Sequence, residues 1–493
     1  MNARPDAFAR CLRQTRRLPS AALIALALGI AGCAAIPPDR NPLPQRDIAR
    51  AQLAADIKLA QGGWPGGRWW TQYGDPQLNR LVERALKNGP SLALAATRIG
   101  SAQAVLAASD ADRGPKAGLT AAASRQRYSA NGLFPAPIGG NYFSETTIRV
   151  QASTDLDWWG RHRAQIAAAL GEVDARRAEY AQARQTLAAA VAQTYFKLQA
   201  GLARLANTRS MVAAQGEVLA AAVARVDHGL AAIDEERVAE AGLAALKQQL
   251  ALLEAQVAAE REALRALLGA GGNALAELAP RPLPDVPDKL PSRLGMELLA
   301  RRPDLQAARW RIEAALSRID AARAAFYPDI NLAGAFGLDA LSLGNLFKAA
   351  SATPFVGPTL SLPLFDAKRL DARLAATRSE RDEMIADYNQ KVFDAVRDIA
   401  ELGVRLRGIE AAMAQQAAEA RASDALLQAA QARFKQGLAA RDVVLAARLD
   451  LFKQRDAGLQ LRDRQLSLQV SLVEALGGGY RTDSTGMNAQ ASK

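Results

Sequence analysis

Two hydrophobic periods organise this chain. From Ile385, apolar residues return at every seventh position through Val392, Ile399, Leu406, Met413, Ala420, Leu427 and Phe434, and no proline follows Pro363. Such a seam predicts supercoiled, mutually packed helices, here a hairpin over residues 366–476 that turns near Gly437. From Lys368 to Phe434 the rise would be about 100 Å at ~1.5 Å per residue, some three ~30 Å bilayer cores. The seam is too dilute in apolar residues to be a membrane span. The same step recurs in Val191, Leu198, Leu205, Val212, Leu219 and Val226. It predicts a first hairpin over 157–268, with its turn near His228-Gly229-Leu230 and its return helix stopped by Gly269.

Between these helical stretches the period changes to two. In Thr147 to Leu156, the residues Ile148, Val150, Ala152, Thr154 and Leu156 alternate with Arg149, Gln151, Ser153 and Asp155. Leu119 to Ser124 alternates likewise, and a Gly- and Pro-rich loop lies between the two runs. This pattern predicts a β-hairpin over about 117–156 with one apolar face. A second is predicted over 329–364, carrying Ile330, Leu332, Phe336 and Leu338 on one strand and Val356, Leu360, Leu362 and Leu364 on the other. Short helices precede both hairpins; Asp75-Pro76 opens one, with Asp as cap and Pro at its first position.

The halves repeat. Pro90, Arg98 and Pro115 correspond to Pro303, Arg311 and Pro328 at a displacement of 213, and Gly229 and Gly269 to Gly437 and Gly477 at 208. The expected domains are therefore a first repeat over 69–279 and a second over 280–476. The second starts with a stiff proline-rich linker, 280–291, and a polar tail, 477–493, follows it.

Residues 1–32 read as a secretory leader: an Arg-rich start, the apolar run Ala21 to Ile30, then Ala31-Gly32-Cys33. Ile30-Ala31-Gly32-Cys33 resembles a bacterial lipobox, which implies cleavage before Cys33 and a diacylglycerol and an N-acyl chain on it. The alternative is an ordinary signal peptide with an incidental cysteine. A non-acidic Ala34 behind the cysteine implies passage to the outer membrane. Residues 33–68, rich in Pro, Gly and Gln, then read as a lipid-anchored tether.

Composition and charge narrow the chemistry. The formal charge is +12, and five arginines against one aspartate lie in the leader, so the remainder carries +8. These cations are interleaved with acids along helices, which argues against a nucleic-acid partner. The two cysteines, Cys11 and Cys33, and the two histidines, His162 and His228, have no metal-ligand spacing, so no metal or cofactor is expected beyond the acyl chains. Both histidines read as surface polar residues. No catalytic grouping stands out, and an enzyme is not expected.

Four amphipathic strands cannot close a barrel, and open edges are not tolerated in lipid. Closure must come from several chains. Two would give eight strands around a filled interior, and three would give twelve around a lumen. Trp158 and Trp159 fall where strand meets helix, either as a membrane-interface belt or as an interior aromatic pair.

The stretch RRPDLQAARWRIEAALSRIDAARAAFYPDINL, from Arg301 to Leu332, resembles the signature of the outer membrane factor family of TolC, OprM and NodT type. SLPLFDAKRL, GLAARDVVLAAR and DLDWWGR are similar to it too. The resemblance implies a mainly α fold with a membrane β-barrel portion, a duplicated unit of coiled-coil helical hairpins and β-hairpins. It further implies a homotrimer whose twelve-stranded barrel in outer-membrane lipid joins a twelve-helix periplasmic tunnel. The expected function is the outer-membrane conduit of a tripartite efflux system. It would passively export drugs or other small molecules delivered by a periplasmic adaptor (a membrane fusion protein) and an inner-membrane pump. The rival class is a structural or adaptor-like periplasmic coiled-coil lipoprotein without a pore, which leaves the paired amphipathic hairpins unexplained.

Gly229-Leu230-Ala231 and Gly437-Leu438-Ala439 match the family's hairpin-tip motif, which meets the adaptor; they also suit plain turns. The family often closes its periplasmic end with an aspartate ring behind the second tip, where this chain carries Val443 and Ala446, with Asp442 one residue away. Either Asp442 forms that ring, or the gate is apolar and Arg441 pairs with Asp442 outside it.

Overall fold

The computed structural model describes residues 36–46, 64–285, 301–363 and 365–480. The leader with Cys33, most of the tether, part of the proline-rich linker, Leu364 and most of the tail lie outside the described residues. Two short helices, α1 (Pro76–Asn88) and α2 (Pro90–Ala111), lead into strands β1 (Lys116–Arg127) and β2 (Tyr142–Asp155). The long helix α3 (Arg161–Asp227) and its return α4 (Ile233–Leu267) follow. The second half repeats the order with α5 (Pro303–Ala324), β3 (Asp329–Ala340), β4 (Ala352–Ser361), α6 (Ala367–Lys435) and α7 (Arg441–Ala475). The correspondence extends to length: α3 and α6 have 67 and 69 residues, and α4 and α7 have 35 each.

Local chemistry places the boundaries. Asp75 caps α1, its Oδ1 accepting from the amides of Gln77 and Leu78 at 2.8 and 3.3 Å, with Pro76 supplying the first helical residue. Asp157 does the same for α3, accepting from the amides of His162 and Arg163 at 2.8 and 3.0 Å. Strand β4 stops at Ser361, short of the expected 364, because its partner there, Asp329, is the first residue of β3 and leaves the chain beyond without a pairing strand.

The residues fall into two compact units. One contains Ser101–Val173 and Trp310–Ala386 with the segment 36–44. Here the four strands form a single antiparallel sheet in the order β1-β2-β3-β4. Its register aligns Leu119 with Val150 and Phe336, and Ala121 with Ile148 and Leu338, so the apolar positions form continuous rows on one face. Thr120, Arg149 and Gly337 form such a row on the other face. A small core beneath the sheet joins Ile319, Phe326, Leu370 and Leu374, and Ile36 packs against it. The tether residues beyond Ile36 are extended but held. Arg381 binds the Asp39 carboxylate at 2.5 Å and Arg378 donates to the Pro37 carbonyl at 2.6 Å. The Arg381 guanidinium keeps the Asp39 carboxyl below the usual carboxylate range.

The other unit holds 64–100, 174–285, 301–309 and 387–480, with 45–46. Its main core gathers Trp69, Trp70 and Tyr73 with Leu78, Val82, Tyr195, Phe196, Leu264, Leu268, Leu466 and Val470. Inside it, the Tyr195 hydroxyl donates to Asp75 Oδ2 at 2.5 Å, and burial, reinforced by Asp75, raises the phenol's pKa. The heptad seams are buried where they cross this unit's core, as at Val191, Leu198, Val392 and Ile399. Farther along the second seam is uneven: Met413 and Ala420 are half-buried and Phe434 is 45% exposed, while Leu427 between them is buried.

Candidate functional site

The two tips are built alike. Gly229 and Gly437 have φ of 70° and 72°, in the left-handed region that glycine enters without a Cβ clash. At the first, Gly229 N–H donates to Val226 O at 2.9 Å and Leu230 N–H reaches back to Arg225 O at 2.7 Å. At the second, Gly437 N–H donates to Phe434 O at 3.0 Å and Leu438 N–H to Arg433 O at 2.8 Å. This double bond pattern satisfies the last carbonyls of α3 and α6 and turns the chain within a few residues. It also pushes a leucine outward at each tip: Leu230 is 71% exposed and Leu438 73%. Open space surrounds both glycines.

Behind the second tip, α7 turns Asp442, Val443 and Ala446 outward and buries Val444 and Leu445. Val444 packs with Leu427, Ala430 and Leu451 in a small core of the second hairpin. Arg441 and Asp442 are not paired with each other, contrary to one of the two expected arrangements. Arg441 Nη2 meets Glu217 Oε2 at 2.8 Å, and Arg448 approaches the other oxygen of Glu217 at 3.7 Å. Asp442 instead faces Arg225 at 3.7 Å, and Arg225 also pairs with Glu235 at 3.0 Å. These ion pairs tie the start of α7 to α3 near both tips.

At the junction of strand and helix in the sheet unit, Trp158 is 64% and Trp159 49% exposed. Trp159 stacks on Tyr327 with ring centroids 4.5 Å apart, and its Nε1 donates to the Pro328 carbonyl at 2.8 Å. His162, expected at the surface, is largely enclosed here, with Nε2 2.7 Å from Asp155 Oδ2. The Asp157 cap draws the first turn of α3 against the end of β2, and that proximity brings the ring to Asp155. His228 is exposed beside the first tip. Both faces of the sheet are open in the single chain: on the apolar face Val356 is 78% and Leu360 67% exposed.

The chain matches the outer membrane efflux protein family twice, over residues 81–270 and 294–478. It belongs to that family. The multidrug resistance outer membrane protein MdtP of Shigella flexneri is 39% identical over 480 residues, covering 95% of this chain and 98% of the relative. The putative multidrug resistance outer membrane protein MdtQ of the same organism is 36% identical over 472 residues, covering 94% and 98%. Among solved structures, the outer-membrane channel OprN superposes with a TM-score of 0.79 at 27% identity, covering 91% of this chain and 99% of that one. The outer membrane protein VceC of Vibrio cholerae gives 0.74 at 30% identity, covering 85% and 100%.

The protein is thus an outer-membrane channel component of an efflux system, with its helical hairpins on the periplasmic side. The resemblance drawn from residues 301–332 is confirmed, and the twofold match agrees with the internal repeat. The family is one of channels, not of enzymes. No group of three or more potential metal ligands occurs among the described residues. Sequence reasoning missed the Glu217 and Arg225 ion pairs. Their charges lie within ordinary solvated helix faces, and nothing in the local pattern separates a cross-hairpin partner from a surface residue.

Proposed function

We propose that three copies of this chain assemble into one conduit, a twelve-stranded barrel in the outer membrane continued by twelve periplasmic helices. The observation that carries this reading is the four-stranded sheet with an exposed apolar face and β1 and β4 as its outer strands. Open strand edges are not tolerated in lipid and a bare apolar face is not stable in water; pairing β4 of one copy with β1 of the next closes the edges, and lipid covers the face. Trp158 and Trp159 then mark the periplasmic membrane interface. Acyl chains on Cys33 add an anchor of about 0.8 kcal/mol per buried CH₂.

The tips Gly229-Leu230-Ala231 and Gly437-Leu438-Ala439 meet a periplasmic adaptor, which connects the conduit to an inner-membrane pump. The pump supplies the energy, and drugs or other small molecules pass through passively. Asp442, Val443 and Ala446 form the narrow periplasmic end, held by the Glu217 and Arg225 ion pairs. Purification from outer-membrane fractions tests the assembly: a trimer that dissociates only on heating is expected. Deletion of the chain should sensitise cells to at least one exported compound. A monomer in the periplasmic fraction, with unchanged susceptibility, would refute the reading.

A further inference from the structure

The apolar face of the sheet does not end in neutral residues. On β1 the row Leu119, Ala121, Ala123 continues directly into Arg125 and Arg127, which the register sets opposite Ser144 and Tyr142. All four residues of these two pairs are exposed on the same face. Arg125 lies with its guanidinium carbon 5.5 Å from the Tyr142 ring centroid. Arg127 donates from Nε to the Gly140 carbonyl at 3.3 Å, which leaves its terminal nitrogens unengaged. Neither arginine has a carboxylate partner among the described residues, and the nearby Glu145 belongs to the opposite face. An uncompensated pair of guanidiniums on an otherwise apolar face calls for an anionic ligand.

The membrane band fixes where that ligand lies. Along β3 the apolar row runs from Ile330 to Leu338, about 27 Å of strand at ~3.4 Å per residue; tilted by the roughly 35–45° usual for membrane barrels it covers about 20 Å of height, most of the ~25 Å apolar band. Its lower end meets Trp159 and Tyr327. The helices leave the sheet at that lower end, so the loops after β1 and β3 lie outside the cell. Arg125 sits two residues, roughly 7 Å of strand, beyond Ala123 at the outer end. That is the level of the headgroups of the outer leaflet, which in this membrane are phosphorylated glycolipid. Guanidinium forks bind phosphate oxygens in pairs of charge-assisted hydrogen bonds, and a neighbouring tyrosine suits the same interface.

We propose that Arg125 and Arg127, flanked by Tyr142, form a binding site for lipopolysaccharide phosphate on the outer rim of each subunit. This rests on the lipid-facing assignment of the apolar face made above. The test uses the full-length trimer in detergent, exchanged free of endogenous lipid and offered three probes: phosphorylated lipopolysaccharide, the same glycolipid with its lipid A phosphates removed, and phosphatidylglycerol. Bound lipid is counted by native mass spectrometry. The wild type should retain the phosphorylated glycolipid at least ten-fold better than either other probe. Arg125→Gln combined with Arg127→Gln should abolish that preference, whereas Arg149→Gln on the opposite face should preserve it.

Equal retention of the phosphorylated and dephosphorylated glycolipid by the wild type would overturn the site, whether or not the double variant assembles. So would an assembled double variant that binds like the wild type, or equal binding of phosphatidylglycerol. Failure of the wild type to form trimers at all would instead strike the assembly on which the inference rests.

Discussion

The ion pairs behind the tips make a quantitative prediction about opening. Glu217→Gln combined with Arg225→Gln removes every contact that ties α7 to α3 through Arg441, Arg448 and Asp442. These side chains are 36–65% exposed, so solvent and counterions screen them. Exposed pairs contribute about 0.2–1 kcal/mol each, and the two contacts at 3.7 Å belong at the low end. Together the three stabilise the arrangement seen here by about 0.6 to 1.4 kcal/mol, a roughly three- to ten-fold shift in population. Single-channel recording in planar bilayers reads this directly as open time. If this arrangement is the closed one, the double variant should stay open about three to ten times longer at low salt. Raising the salt from about 0.1 M to about 1 M shortens the screening length from ~10 to ~3 Å, and should bring the wild type towards the variant. Unchanged open time in the variant, or a wild type indifferent to salt, would show that the hairpins are held by something else.

Other perturbations read other parts of the molecule. Gly437→Pro forces φ from 72° to about −65° and deletes the amide that caps α6. Drug export should be lost while heat-dissociable trimers still reach the outer membrane, and normal resistance in that strain would remove the tip from the export path. If Asp442 lines the periplasmic end, three copies attract cations, so Asp442→Ala should abolish block of single-channel current by periplasmic divalent cations; an unchanged block would assign the gate to Val443 and Ala446. Burial raises the Asp463 carboxyl, with Glu260 adding to the effect against Lys197, Arg204 and Arg464. Below the ordinary carboxylate value of ~3.9 both folded and unfolded states are protonated. As pH rises through the higher folded value, the buried charge costs stability. Asp463→Asn should therefore raise the melting temperature at pH 7 and leave it unchanged near pH 3, as followed by intrinsic fluorescence. A variant less stable at pH 7 would show that the charge itself is needed.

What the sequence determines by itself is local and periodic. A seven-residue step demands a helix with one packed seam, and a two-residue step demands a strand with two unlike faces, because backbone geometry alone sets both periods. Gly229 and Gly437 announce their turns for the same reason: the positive φ is a property of one residue. Even the duplication is legible, since equal spacing of Pro90 and Pro303 needs no fold to be seen. The tertiary structure decides whatever joins distant stretches. It pairs β2 with β3, so that the two hairpins become one sheet. It encloses His162 against Asp155 and lays the tether's Asp39 on Arg381. It gives Arg441 to Glu217, 224 residues away, in place of the adjacent Asp442. Charges exposed on helix faces look alike in sequence, and only the packing of one hairpin on the other selects which of them meet.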